Sequence, residues 1–273
     1  MTLQLDARQR AMLAEMGVRL FEPAGNEAPA PAVPAAAPAP APAIDPAAAR
    51  APQAPREAAP RPAASPVATP LPAGQPERIL APLSGPVAGM DWDALADAVA
   101  GCQACGLCQS RRNTVFGVGD RQADWLIVGE APGEMEDLQG EPFVGPAGKL
   151  LDNMLRAIGL GRHENVYIAN VLKCRPPGNR NPEPAEVAQC EPYLRRQVAL
   201  LQPKIILAMG RFAVQSLLGS SEPIGKLRGR IHHYEGVPVV VTYHPAYLLR
   251  NLPDKAKAWA DLCLALDQVE SAP

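Results

Sequence analysis

Four short apolar runs set the frame of this chain. They are "DWLIVGE" (124–130), "NVYIANVLK" (165–173), "PKIILAMG" (203–210) and the second half of "GRIHHYEGVPVVVTYHP" (229–245). Runs of this length, bounded by glycine, proline or charge, read as strands buried on both faces. Apolar residues at helical spacing fill the intervals, in "AGKLLDNMLRAIGL" (147–160), "PAEVAQCEPYLRRQVALL" (184–201), "RFAVQSLLG" (211–219) and "PDKAKAWADLCLALDQV" (253–269). A further helix, "DWDALADAVAG" (91–101), comes before the first strand. Such alternation predicts an α/β fold with right-handed crossovers: three layers, α/β/α, around a short, mainly parallel four-stranded central sheet. In sheets of this kind the site lies at the carboxyl ends of the strands.

The pattern stops upstream of residue 88. Residues 1–22 predict one short amphipathic helix, with Leu3, Leu5, Met12, Leu13, Met16, Val18, Leu20 and Phe21 as its apolar positions. Residues 23–87 are mostly alanine and proline and hold more than half of the chain's 32 prolines. Proline removes helix hydrogen bonds and the segment has few large apolar residues to bury, so a disordered, polyproline-leaning linker is expected. The folded domain is then 88–273. The N-terminus lacks the apolar run of a signal peptide and no segment approaches a membrane span, so a cytoplasmic protein is expected. A net charge of −2 carries no gross basic signature, although a local basic groove can hide in a neutral total.

The strand-end rule gathers the candidate chemistry. Strand one ends at Glu130-Ala131-Pro132-Gly133, strand two near Asn170 and Cys174, and strand four at Tyr243-His244-Pro245. A glycine-bearing loop after a strand commonly cradles phosphate. This one carries Glu130, Glu134, Glu136, Asp137 and Glu141, which repel it. An asparagine offers both a donor and an acceptor to a base edge, a histidine can meet an oxyanion, and Phe143 in "EPFVG" can stack on a flat ring. Together they suit a planar heterocycle, although each alone fits an ordinary core role. Arg111, Arg112, Lys173, Arg175, Arg180, Arg228, Arg230 and Arg250 lie near these features; gathered at one crevice, they would contact a phosphodiester backbone.

Six cysteines complete the picture. Cys102 and Cys105 form a C-x2-C pair, Cys174 follows strand two, and Cys190 lies in the next helix. Four thiolates suit a [4Fe–4S] cluster or zinc. Cys108 extends the first pair to C-x2-C-x2-C and competes as a ligand from spacing alone. Cys263, on an apolar helix face, reads as a small core residue.

The segments "GEAPGEMEDLQGEPFVGPAGKLLD", "VYIANVLKCRPPGNRNPEPAEVAQC" and "TYHPAYLLRN", in this order, closely resemble family 4 uracil-DNA glycosylases, the iron–sulfur type. The likeness spans roughly 95–268. It implies the uracil-DNA glycosylase-like fold and hydrolysis of the N-glycosidic bond of uracil in DNA, leaving an abasic site. It places a [4Fe–4S] cluster on Cys102, Cys105, Cys174 and Cys190, leaving Cys108 as an extra thiol. By the same resemblance Phe143 stacks on uracil, Asn170 reads it, His244 faces its O2, and Glu130-Ala131 handles water. Better-known uracil glycosylases have aspartate where Ala131 stands, which makes Glu130 the candidate for activating water. Glu136 and Asp137, in the same acidic loop, are expected at the substrate, with Arg175, Arg180 and Arg250 on DNA. Leu248 or Leu249 is the candidate wedge into the duplex. A covalently trapping relative has a histidine-containing insertion that "RPPGNRNPEPAEVAQ" lacks, so turnover is expected. The protein is expected to act as a monomer on uracil-containing DNA at the nucleoid, with residues 2–22 docking a replication or repair partner. The alternative is a catalytically silent iron–sulfur protein that binds single-stranded nucleic acid.

Overall fold

A computed structural model describes residues 82–271; the N-terminal helix and nearly all of the linker expected from the sequence lie outside the described residues. Six strands form one sheet: β1 (Val118–Gly119), β2 (Trp125–Gly129), β3 (Val166–Asn170), β4 (Ile205–Met209), β5 (Ile231–Tyr234) and β6 (Val237–Thr242). Their order is β1-β3-β2-β4-β6-β5. The central four, β3-β2-β4-β6, are parallel and correspond to the four apolar runs. The four-stranded expectation omits two short antiparallel edges. β1 pairs with β3, and β5 closes a hairpin onto β6. β1 has two residues and β5 contains His232 and His233, so neither shows the continuous apolar run of a central strand.

Alternation along the strands divides the core in two, because successive side chains point to opposite faces. Trp125, Ile127, Val166, Ile168, Ile205, Leu207, Met209 and Val240 face α3 (Pro146–Ala157) and α8 (Lys255–Glu270). Leu126, Val128, Tyr167, Ala169, Ile206, Ala208, Val239 and Val241 face α4 (Pro184–Leu201) and α5 (Arg211–Leu218). The register puts Ile127 between Ile168 and Leu207, so each face is a continuous apolar layer. Burying a side chain of this size contributes about 1.5–3 kcal/mol. That large, two-sided core holds the strand ends rigidly. Cys263 packs against the α3/α8 layer, as its helical position suggests.

Three short elements refine the loops. α1 (Trp92–Ala100) is capped by Asp91, whose Oδ1 accepts from the Ala94 N–H at 2.9 Å. Within the acidic segment after β2, residues Glu134–Gln139 form a helical turn, α2, too short to show a period in the sequence. α6 (Ile224–Leu227) and α7 (Pro245–Leu248) flank the β5–β6 hairpin.

Candidate active site

The strand ends open on a cleft of about 470 Å³. Glu130, Ala131, Pro132 and Gly133 reach it from β2, Asn170 from β3, and His244 from β6; Glu136, Phe143, Arg180 and Arg250 complete its rim.

Gly129 and Asn170 are partners in the β2–β3 register. A Cβ on Gly129 would lie 2.3 Å from Asn170 Oδ1 and 2.6 Å from Phe143 Cζ, so only glycine lets the amide and the ring come together. Phe143 holds a left-handed backbone, φ 55°, uncommon for a side chain of this bulk. Arg162 fixes it by donating to Pro142 O at 2.9 Å and Phe143 O at 2.6 Å, with Asp152 paired to the same guanidinium. Helix α3 closes against the same loop at Gly148, where a Cβ would meet Phe143 O at 1.7 Å.

Asn170 is 2% exposed overall and lines the cleft, where its carboxamide offers a donor and an acceptor to a base edge. Its backbone carbonyl accepts from Lys173 Nζ at 2.8 Å.

His244 caps α7: its Nδ1 accepts from the Ala246 N–H at 3.1 Å. An accepting Nδ1 puts the neutral ring's proton on Nε2. Burial pushes its pKa down to about 4, opposed by Glu136 and reinforced by Arg250, so the ring is neutral at physiological pH. Phe143 stacks on it with centroids 5.4 Å apart at 25°.

Burial raises Glu130 to about 7, against the opposing pull of Arg211. Both carboxylate oxygens of Glu136 are committed to the loop: Oε2 accepts from Gly133 N–H and Oε1 from Val144 N–H, each at 3.1 Å.

A second constellation adjoins the first. Cys102, Cys105, Cys108, Cys174 and Cys190 line one cavity, together with Arg111, Lys173 and Tyr193. Burial raises Cys190 to about 11 and lifts Cys174 as well. Arg111 donates to Cys174 Sγ at 3.2 Å. Among the described residues no group of three or more His, Cys, Asp or Glu closes tightly enough to hold a single metal ion. The donor set is thiols around a shared cavity, chemistry that suits an iron–sulfur cluster or zinc.

The description "Uracil DNA glycosylase superfamily" matches residues 116–263. The type-4 uracil-DNA glycosylase of Archaeoglobus fulgidus is 46% identical over 165 residues, 58% of this chain and 82% of that protein. This chain belongs to the type-4 uracil-DNA glycosylases. The type-4 enzymes of Saccharolobus solfataricus (43% identical over 190 residues, 66% of this chain and 88% of that protein) and Thermotoga maritima (41% over 182, 66% and 92%) are similar to it as well. The silent-protein alternative is not favoured.

With the type-4 family in view, the residues expected at its site divide in two. Glu130, Ala131, Glu136, Phe143, Asn170, Arg180, His244 and Arg250 share the cleft. Asp137, Arg175 and Leu248 do not line it. Asp137 is 3% exposed and turned toward the thiol segment, where Oδ1 accepts from Arg112 N–H at 2.9 Å and Asn113 N–H at 3.4 Å. A six-residue helical turn in place of a loop is what points Glu136 and Asp137 to different sides. Arg175 instead donates to Asn179 Oδ1 at 2.7 Å and faces Glu134 at 3.8 Å. Leu248 is fully buried in the α3/α8 core and is unavailable to DNA, while Leu249, one residue on, is 42% exposed. Residues missed from the sequence are Asn179, with left-handed φ 55°, and Tyr247 on the rim, and Arg211 beside Glu130. Arg211 lies two residues past the end of β4, so extending the strand-end rule to the third strand would have found it.

Proposed function

We propose that this cleft hydrolyses the N-glycosidic bond of uracil in DNA, releasing free uracil and leaving an abasic site. The observation that carries this reading is an asparagine amide, an aromatic ring and a neutral imidazole brought together in one cleft.

The reaction requires the nucleotide outside the stack. In the cleft Phe143 covers one face of the base. The Asn170 amide donates to O4 and accepts from N3–H; cytosine reverses that pattern and leaves buried groups unpaired. As the bond breaks, charge gathers on uracil O2 and the sugar becomes cation-like. His244 donates Nε2–H to O2 without needing to lose a charge. Glu130, as a carboxylate, favours the sugar cation and the attacking water. Arg250 and Arg180 lie on the rim for the phosphates, with Arg180 held by two bonds to Glu186 at 2.9 and 2.6 Å. Leu249 replaces Leu248 as the exposed wedge candidate. A synthetic strand with one uracil tests the whole reading. Free uracil and an alkali-labile break should appear together, and no release at any pH overturns it.

Glu130 gives the reaction its pH dependence. Protonated below about 7, it cannot favour a cation, so kcat/KM should rise with pH through that value. Glu130→Gln should be slower by about 10² above pH 7 and flat across the range. The linkage has the opposite sign for stability. A carboxyl raised from 4.5 to about 7 binds its proton more tightly when folded, so its contribution fades as pH climbs through that window. Glu130→Gln should therefore melt higher than the parent above pH 7. A retained pH limb in the variant would remove Glu130 from this role.

Cys102, Cys105, Cys174 and Cys190 would hold a [4Fe–4S] cluster, which would tie the segment around Cys102 to the loop after β3 and to α4. Burial disfavours a bare thiolate at Cys190, and a cationic iron site reverses that preference. Cys174→Ser is expected to abolish visible absorbance and lower bound iron and acid-labile sulfide; Cys263→Ser should change neither. Unaltered iron in Cys174→Ser would reassign the ligands.

We infer action as a monomer, and a DNA substrate supports a cytoplasmic place at the nucleoid. Among the described residues no helix is long and apolar enough to cross a membrane. In this reading residues 1–22 dock a replication or repair partner.

A further inference from the structure

A second aromatic group stands at the rim of the cleft and has no part in the chemistry above. Tyr243, which follows β6, and Tyr247, in α7, stack with centroids 5.1 Å apart at 23°. The guanidinium of Arg228 lies 5.6 Å from the Tyr243 centroid on the same stack. Arg228 is held in turn by the fully buried Asp261, through bonds of 3.0 and 2.8 Å. At the other end the Tyr247 hydroxyl donates to Asp254 Oδ2 at 2.6 Å. Tyr247 itself lines the cleft beside Arg250.

This construction is more than core packing requires. One face of Tyr247 is covered by Tyr243, and its edge is fixed by Asp254. The ring packs in part against the α3/α8 core and is therefore oriented before any ligand arrives, with part of its surface on the cleft. A pre-oriented aromatic face takes any nucleobase, because every base has a π-face, and stacking of this kind contributes about 1–3 kcal/mol per base. Extruding one nucleotide leaves its neighbour with an unstacked face at the mouth of the same cleft. Arg250, exposed next to Tyr247, has no ion-pair partner among the described residues and is placed for the connecting phosphate.

We propose that Tyr247 is a stacking platform for the unpaired base that adjoins the extruded uracil in the DNA strand. The inference rests on the uracil-excision reading of the cleft and adds a second base-binding position to it. The platform favours substrates whose neighbouring base is free to leave its own stack, which is the situation in single strands and frayed duplexes.

The test uses the full chain and single-stranded oligonucleotides with a 2′-fluorinated uracil nucleotide that resists excision. Each carries 2-aminopurine directly 5′ or 3′ of it. Wild-type protein should quench the fluorophore at one flank. Tyr247→Phe should quench as well, Tyr247→Trp more strongly. Tyr247→Leu should lose the quench and bind about tenfold more weakly, with an unchanged salt slope because no phosphate contact is removed. Equal quenching and affinity in Tyr247→Leu would overturn the proposal, as would no quenching at either flank by wild type. If Tyr247→Leu does not fold, the wild-type quench and its increase in Tyr247→Trp decide the question. Uracil release from an ordinary strand is measured in parallel. Release without flank quenching defeats the platform alone; no release defeats the excision reading itself.

Discussion

Replacing His244 by alanine is expected to lower kcat for uracil release by about 10²–10³ and to leave KM nearly unchanged. The loss falls on kcat because Nε2–H meets charge that develops only as the bond breaks. The neutral ring is fixed by two features already in place: Nδ1 accepts from the Ala246 amide, and burial holds the pKa near 4. His244 therefore adds no limb to the rate profile between pH 5 and 7, and the only break there belongs to Glu130. It does affect stability in acid. A histidine depressed from 6.5 to about 4 binds its proton less readily when folded, so stability falls as pH drops through that interval. His244→Ala should flatten that decline. Visible absorbance should be the same in both proteins. A kcat within tenfold of wild type would remove His244 from the chemistry, and lost absorbance would make it a structural residue.

Gly129→Ala is the second change with a large expected effect, on a residue that touches no charge. The added methyl would sit 2.3 Å from Asn170 Oδ1 and 2.6–2.8 Å from the Phe143 ring, closer than atoms pack. Either the amide or the ring has to leave its position, so the base-reading geometry is lost whichever way the strain resolves. Uracil release should fall by about 10² or more, as misplacement of a reacting geometry by an ångström does. Melting temperature should also drop by several degrees, because Phe143 belongs to the α3/α8 apolar layer and overpacking there costs about 1–3 kcal/mol. Activity near that of wild type would mean that Asn170 and Phe143 need not act together.

The central sheet was legible because its strands are buried on both faces and therefore have no polar alternation to blur them. Its edges were not: Val118–Gly119 is too short for any period, and Ile231–Tyr234 interleaves two histidines. The strand-end rule brought Glu130, Asn170 and His244 to one cleft from residues far apart in the chain. Asp137 and Leu248 show where linear reasoning stops. Glu136 and Asp137 are neighbours in sequence, yet one helical turn sends the first to the cleft and the second to the amides of Arg112 and Asn113. Leu248 and Leu249 differ in the same way, since α7 ends between them. Neighbouring apolar or acidic residues on a short turn carry no sequence signal for which one faces inward. Tyr247 was passed over for a related reason: its importance lies in its stack with Tyr243, four positions back, and in Asp254, seven positions on.

The stretch from Asn170 to Cys174 joins the base reader to a thiol, and its backbone has almost no slack. Val171 N–H donates to Gly129 O, Leu172 N–H to Glu130 O, and Lys173 O accepts from Val115 N–H, at 3.0, 3.1 and 2.8 Å. Lys173 Nζ then ties back to Asn170 O and across to Gln197 Oε1. A change of side chain here leaves the backbone pairings in place, whereas a single added or deleted residue would shift every pairing and separate the two sites from each other. In evolutionary terms this segment should keep its length, with Asn170 and Cys174 fixed at its ends, while insertions collect beyond Cys174, at the exposed turn that begins at Pro177.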